Sequence, residues 1–112
     1  MRNVPLGPID TEVVAFIEAL DRETISAAMQ RYLQLRDQGN LEKRYPGFLP
    51  PRGYEVLSAD GKERFRGRRL LTIAFDQIYS LIIERKRFDD RTDQKLKKKI
   101  SSLGFQILPV RD

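Results

Sequence analysis

The amino-acid sequence predicts a small α+β domain that is mainly helical. Three observations lead to this prediction: apolar residues recur at helical spacing in several segments, one segment alternates around a turn dipeptide, and the chain has 112 residues. A chain of this length fits one domain and is too short for two ordinary ones. We therefore expect a single domain over residues 1–112, with an N-terminal helical hairpin over 10–38, an irregular loop over 39–53 and a basic α+β part over 54–112.

The N-terminal segment predicts two helices separated by a tight break. Asp10 and Thr11 are typical N-cap residues, and apolar residues follow them at helical spacing. Asp21 offers a second N-cap, and Gly39 is a typical residue to follow the end of a helix. We expect the apolar stripes of the two helices to face the core; they consist of Val13, Phe16, Ile17 and Leu20, then Ile25, Ala28, Met29, Tyr32 and Leu33.

The segment 39–53 has no regular period. It contains three prolines and three glycines, and Pro46-Gly47 is a turn signal. Fifteen irregular residues are long for a small domain, so the loop is either packed down by its own aromatic side chains or used in binding. If it binds another protein, the candidate residues for the contact are Tyr45, Phe48, Leu49 and Pro50.

Residues 54–67 are typical of a β-hairpin. The first strand alternates over 54–57, Asp60-Gly61 is a strong turn dipeptide, and the second strand alternates over 62–66. Because successive side chains in a strand point to opposite faces, Phe65 should face inward. The outer face should then carry a basic row, with two more arginines just beyond it: Lys62, Arg64 and Arg66, followed by Arg68 and Arg69.

The longest apolar segment predicts a central helix over 69–86. On a helical wheel its apolar residues cover more than half of the circumference, and Thr72, Asp76 and Ser80 form a narrow polar strip. A helix of this kind must be buried on most sides, with Phe75 and Ile78 in the core. If one small domain does not cover the apolar arc, the remainder is an interface in a homo-oligomer or a hetero-complex.

The C-terminal part predicts a basic helix and a closing strand. Asp89 or Asp90 should cap the helix, whose inner stripe is Leu96, Ile100 and Leu103. Gly104 should end it, since glycine commonly follows the last turn. The residues 105–108 then alternate as a short strand, and Pro109 indicates that this strand lies at a sheet edge.

Positive charge is concentrated in the C-terminal half. Residues 1–57 have a net charge of minus one, whereas residues 58–112 have a net charge of plus six. On the last helix, basic residues fall at spacings of four and three on the side opposite the apolar stripe. Together with the strand row they predict one basic patch for an anionic partner, made of Lys62, Arg64, Arg66, Arg68, Arg69, Arg85, Lys86, Arg87, Arg91, Lys95 and Lys98.

The preferred functional hypothesis is non-enzymatic binding of a nucleic-acid phosphate backbone, as an accessory subunit of a larger complex. The partner is DNA, RNA or an acidic protein. One alternative is an adaptor or inhibitor that uses an apolar helix face and the proline-aromatic loop. Another is a winged-helix-like DNA-binding regulator, because the basic helix follows a helix and precedes a strand. A solvated, purely solubilising basic surface is the structural alternative to all three.

Enzymatic and metal chemistry are poorly supported. The chain has no histidine and no cysteine, which removes the commonest general base, the usual zinc ligands, thiol nucleophiles and disulfides. It also lacks a glycine-rich phosphate loop of either common spacing. We expect no catalytic residues, no metal site and no cofactor. Without an apolar signal segment or a stretch long enough to cross a bilayer, we expect a soluble, cytoplasmic protein with no membrane partner.

Overall fold

Five helices and a three-stranded antiparallel sheet make up the computed structural model, which describes residues 11–46, 54–83 and 87–109. Their order is α1 (Thr11–Ala19), α2 (Arg22–Asp37), α3 (Leu41–Arg44), β1 (Tyr54–Leu57), β2 (Arg64–Arg66), α4 (Gly67–Tyr79), α5 (Asp90–Ser102) and β3 (Ile107–Pro109). The strand order is β2-β1-β3. The predicted α+β, mainly helical class is therefore confirmed.

The two N-terminal helices form as the sequence predicts. Asp21 caps α2, because its Oδ1 accepts the backbone N–H of Thr24 at 2.8 Å. Gly39 follows the helix with a φ of +74°, which glycine adopts without a steric cost. α2 packs mainly against α4. The ring of Phe16 in α1 lies edge-on to the ring of Phe75 in α4, with the two ring centroids 5.1 Å apart.

The predicted irregular loop over 39–53 is partly helical, since α3 occupies four of its residues. Leu41 at the start of α3 is buried, and Tyr45 after it is only 2% exposed. The hydroxyl of Tyr45 donates to Asp76 Oδ2 at 2.7 Å. Tyr45 thus packs down onto α4, whereas the other predicted contact residues, Phe48, Leu49 and Pro50, lie outside the described residues.

The predicted hairpin is confirmed, with Val56 opposite Phe65 on the inner face of the sheet. Phe65 is buried and its ring meets Tyr32 of α2 edge-on. The second strand begins at Arg64, later than predicted, because Lys62 belongs to the turn, where Asp60 Oδ1 accepts its backbone N–H. Gly61 supplies the positive φ that the turn requires.

The central helix α4 is confirmed at its N-terminal part and is shorter than predicted at its C-terminal end. Leu70 to Phe75 are all buried, whereas Ile78 is only partly buried against the core. Ser80 has a φ of +54°, a left-handed conformation that cannot continue a helix, so the helix ends at Tyr79 and not at Lys86. The predicted polar strip is also wrong at Thr72, which is fully buried with its hydroxyl bonded to the Arg68 carbonyl.

The last helix and strand form as expected, with small changes at their ends. Asp89, rather than Asp90, caps α5 by accepting the Thr92 N–H at 2.8 Å. Leu96 and Ile100 are fully buried. β3 begins two residues later than predicted and is an edge strand, as Pro109 indicated. None of the helices within the described ranges has the length and apolar character needed to cross a membrane.

Candidate nucleic-acid interface

The exposed side of α5 carries a row of lysines. Because Leu96 and Ile100 point into the core, Lys95 and Lys98 lie on the opposite side of the helix and are exposed. Within the described residues, neither lysine has a carboxylate at ion-pair distance. We call this side of the helix the α5 lysine face; half-buried Lys97 and Lys99 lie at its margins.

The marginal lysines have neighbours that hold them against the domain. Lys97 Nζ lies 5.8 Å from the centroid of the Tyr54 ring, a cation–π distance. Lys99 lies near Asp21, whose pKa is lowered mainly by the hydrogen bond from the Thr24 N–H and to a smaller extent by this lysine. Lys95 and Lys98 are therefore the side chains of this face with the greatest freedom to meet an anionic partner.

Several of the predicted binding arginines are instead ion-paired inside the domain. Arg64 Nε lies 2.7 Å from Glu55 Oε1 on the neighbouring strand. Arg69, whose side chain is 7% exposed, pairs with Glu42 of α3 at 3.0 Å, and so ties α4 to α3. Arg87 pairs with Glu12 of α1 at 3.1 Å. These contacts give the arginines a structural role that the charge pattern of the sequence did not indicate.

Arg68 takes part in another partly buried pair, with Asp93. Its Nε and Nη2 donate to Asp93 Oδ2 at 3.0 and 2.6 Å, and Nη2 lies 3.7 Å from Asp90. The Asp93 side chain is only 7% exposed, and burial raises the pKa of its carboxyl even though the nearby Arg68 lowers it. Burial also raises the pKa of Tyr54, with the Asp93 charge adding to the effect. This cluster joins the start of α4 to the first turn of α5.

Asp93 lies in the first turn of α5, where an acidic residue is favourable because of the helix dipole. Asp93 is three residues before Leu96, so the helical period places it on the buried side of α5. The sequence alone could therefore have indicated that this carboxyl is buried. Its partner Arg68 is 25 residues away in the chain.

The strand row and the helix row do not share one face of the sheet. Arg64 and Arg66 alternate with Phe65, so they lie on the outer face. Tyr54, by contrast, is on the inner face with Val56, and its ring is covered by Lys97 of α5. The basic residues predicted as one patch are thus divided between two sides of the sheet.

The remaining predicted binding residues are distributed as follows. Lys62 is exposed in the hairpin turn beside Asp60, and Arg91 is half-buried in the first turn of α5 beside Asp89. Arg85 and Lys86 lie outside the described residues. Within the described ranges, no group of acidic side chains is arranged to hold a metal ion.

A shallow groove runs along one margin of the α5 lysine face. It lies between α5 and the edge strand β3 and is lined by Gln94, Lys97, Lys98, Ser101, Ser102 and Ile107. Lysine, serine and amide side chains all serve as donors to phosphate oxygens. The surface of the groove itself is mainly apolar, however, so the donors next to it are chiefly those of the helix.

Comparison of the chain with protein-family models, with curated proteins and with solved structures finds no significant match. The function has to be inferred from the chemistry of this surface.

Proposed function

We propose that the chain is a non-enzymatic binding protein that contacts the phosphate backbone of nucleic acid through the α5 lysine face, as an accessory subunit of a larger complex. The observation that carries the proposal is the contrast between the two kinds of cation. The arginines of the predicted patch are largely engaged by carboxylates, whereas Lys95 and Lys98 are exposed and unpaired among the described residues.

The chemistry of these side chains favours binding that does not depend on sequence. Lysine is a compact positive charge on a flexible stem, which positions a phosphate backbone but reads no base edge. Each phosphate that a lysine neutralises releases condensed counterions, so the binding free energy comes largely from electrostatics. For this reason we favour a general backbone-binding subunit over a sequence-specific regulator.

A second candidate function is contact with another protein. Tyr79, Leu81 and Ile82, around the end of α4, are 41%, 52% and 47% exposed. Neighbouring large apolar side chains on a surface are typical of protein interfaces. This surface and the α5 lysine face consist of different residues, so the two candidate functions can be tested with different variants.

The dependence of affinity on salt distinguishes the two functions. We expect the protein to bind a random-sequence DNA duplex at low salt, with a slope of log affinity against log salt of about −2 to −4, one unit for each phosphate contact. Unrelated duplex sequences should give the same slope. An apolar protein interface would be nearly indifferent to salt. Undetectable binding at low salt to both a duplex and a single strand would overturn the nucleic-acid proposal.

A further inference from the structure

A second cationic site lies in the half of the chain whose net charge is negative. An open surface depression of about 350 Å³ lies between the C-terminal part of α2 and α3. Its size lies within the range of small-ligand pockets. We call it the α2–α3 depression, and it is lined by Arg31, Leu35, Gln38, Asn40, Lys43 and Arg44.

Two of the three cations of this depression are not engaged by nearby acids. Within the described residues, Arg31 and Lys43 have no carboxylate at ion-pair distance, and both are exposed. The acidic neighbours are occupied elsewhere, since Asp37 pairs with Arg36 and Glu42 pairs with Arg69. The lining itself contains three positive charges and no carboxylate.

Arg44, the third cation, has only weak contacts, one of them with the ring of Tyr45, whose centroid lies 5.9 Å from its guanidinium carbon. Its Nη2 lies 3.9 Å from Asp76 Oδ2, an oxygen that already accepts a hydrogen bond of 2.7 Å from Tyr45. The guanidinium is half exposed. Arg44 is thus able to turn towards a ligand in the depression without leaving a buried acid unpaired.

Helix capping does not account for these cations. Basic side chains near a helix C-terminus often satisfy its last carbonyl groups. In α2, however, the backbone already does this: Gly39 N–H donates to the Arg36 carbonyl at 3.0 Å, and Asn40 N–H donates to the Leu35 carbonyl at 2.8 Å. This is the Schellman arrangement, which leaves the three cations available for another partner.

We propose that the α2–α3 depression binds a phosphate group, as inorganic phosphate, pyrophosphate or a small phosphate ester. Arginine presents a planar fork of donors that matches phosphate oxygens, and lysine adds a point charge. The side-chain amides of Gln38 and Asn40 supply neutral donors, and buried Leu35 forms an apolar floor. The site shares no residue with the α5 lysine face.

Pyrophosphate titration followed by amide NMR tests this site. We expect saturable shifts at the residues of the depression, which an equal ionic strength of sodium chloride does not reproduce. Replacing Arg31→Ala and Lys43→Ala together should weaken pyrophosphate binding by about tenfold or more, because charge-assisted hydrogen bonds are lost. Both side chains are exposed, so the fold should persist, as a thermal melt would verify.

The matched control replaces Lys95→Ala and Lys98→Ala, which removes the same charge from α5 and should leave pyrophosphate binding unchanged. Equal losses of pyrophosphate affinity in the two variants, or shifts that sodium chloride reproduces, would overturn the site.

A duplex titration of the same variants distinguishes a small phosphate ligand from the phosphate backbone of nucleic acid. If the R31A/K43A protein loses duplex affinity and the wild type does not bind pyrophosphate, the depression is a contact for backbone phosphate and the small-ligand proposal is wrong.

Discussion

Reversing the charge of Lys95 and Lys98 together, as Lys95→Glu and Lys98→Glu, is expected to abolish binding to a DNA duplex at low salt. Both side chains are exposed and unpaired among the described residues, so the change replaces attraction to phosphate by repulsion without breaking a contact of the fold. The milder double alanine variant should retain weak binding, with a salt slope flatter by about one unit for each lost contact. Fluorescence anisotropy of a labelled random-sequence duplex measures both effects.

The matched control for this experiment is the pair Lys62→Glu and Arg66→Glu. It changes the net charge of the protein by the same amount, but its residues lie in the hairpin turn and on the outer face of the sheet. We expect this variant to lose far less affinity than the α5 variant. Equal losses would mean that overall charge, and not the α5 lysine face, determines binding.

Removing the half-buried guanidinium by Arg68→Ala is expected to lower the free energy of unfolding by about 2–4 kcal/mol at neutral pH. Breaking a fully buried ion pair costs about 3–5 kcal/mol, because the remaining charge is left without a partner. The cost here is somewhat smaller, since 28% of the Arg68 side chain is exposed. Asp93, at 7% exposure, is the charge that would be left uncompensated. Urea denaturation at several pH values measures the effect.

The free energy of unfolding that the Arg68→Ala variant loses should become smaller as the pH falls. Burial holds the pKa of Asp93 above its value in the unfolded chain. A group whose pKa is raised by folding stabilises the fold most when it is protonated, and this contribution is lost as the pH rises through the folded-state pKa. Without Arg68 the Asp93 pKa rises further. The R68A variant should therefore recover stability relative to the wild type as the pH falls from 7 towards 4.

An apolar replacement of the pair separates its structural role from binding. The double variant Arg68→Met and Asp93→Leu removes both charges of this pair, and such replacements are often neutral. We expect it to regain most of the stability lost by R68A and to bind a duplex like the wild type. A loss of duplex affinity in this folded variant would show that Arg68 contacts nucleic acid, as the sequence had predicted.

Features that depend on neighbouring residues were predictable from the sequence. The caps at Asp21 and Asp89 and the turn at Asp60-Gly61 depend on the chemistry of a few consecutive residues. The inward position of Phe65 follows from the alternation of a strand. The apolar stripe that contains Leu96 follows from the period of a helix. In each case one local rule determines the outcome.

Features that depend on distant residues were not predictable. Arg69 and Glu42 are 27 residues apart, and no local pattern indicates that the packing of α3 on α4 brings them together. The net charge of a segment likewise does not reveal which cations remain unpaired. For this reason the positive net charge of residues 58–112 suggested one broad basic patch. The cluster of Arg31, Lys43 and Arg44 was not predicted, because it lies in a segment whose net charge is slightly negative.

The end of α4 shows a third reason why a prediction from the sequence was wrong. The apolar period continues through Leu81 and Ile82, so the pattern alone extends the helix past its observed end. Ser80 adopts a left-handed conformation that is uncommon for a residue other than glycine. Leu81 and Ile82 therefore leave the helix and become exposed rather than covering the core.

A titration of the isotope-labelled protein with a random-sequence DNA duplex, followed by amide chemical shifts, locates the nucleic-acid surface residue by residue. We expect the largest shifts on α5, around Lys95 and Lys98. Shifts in β2 should be small, and raising the salt should return all signals towards their free positions. Largest shifts in β2, or in the α2–α3 depression, with α5 unchanged, would contradict the assignment of the α5 lysine face as the nucleic-acid surface.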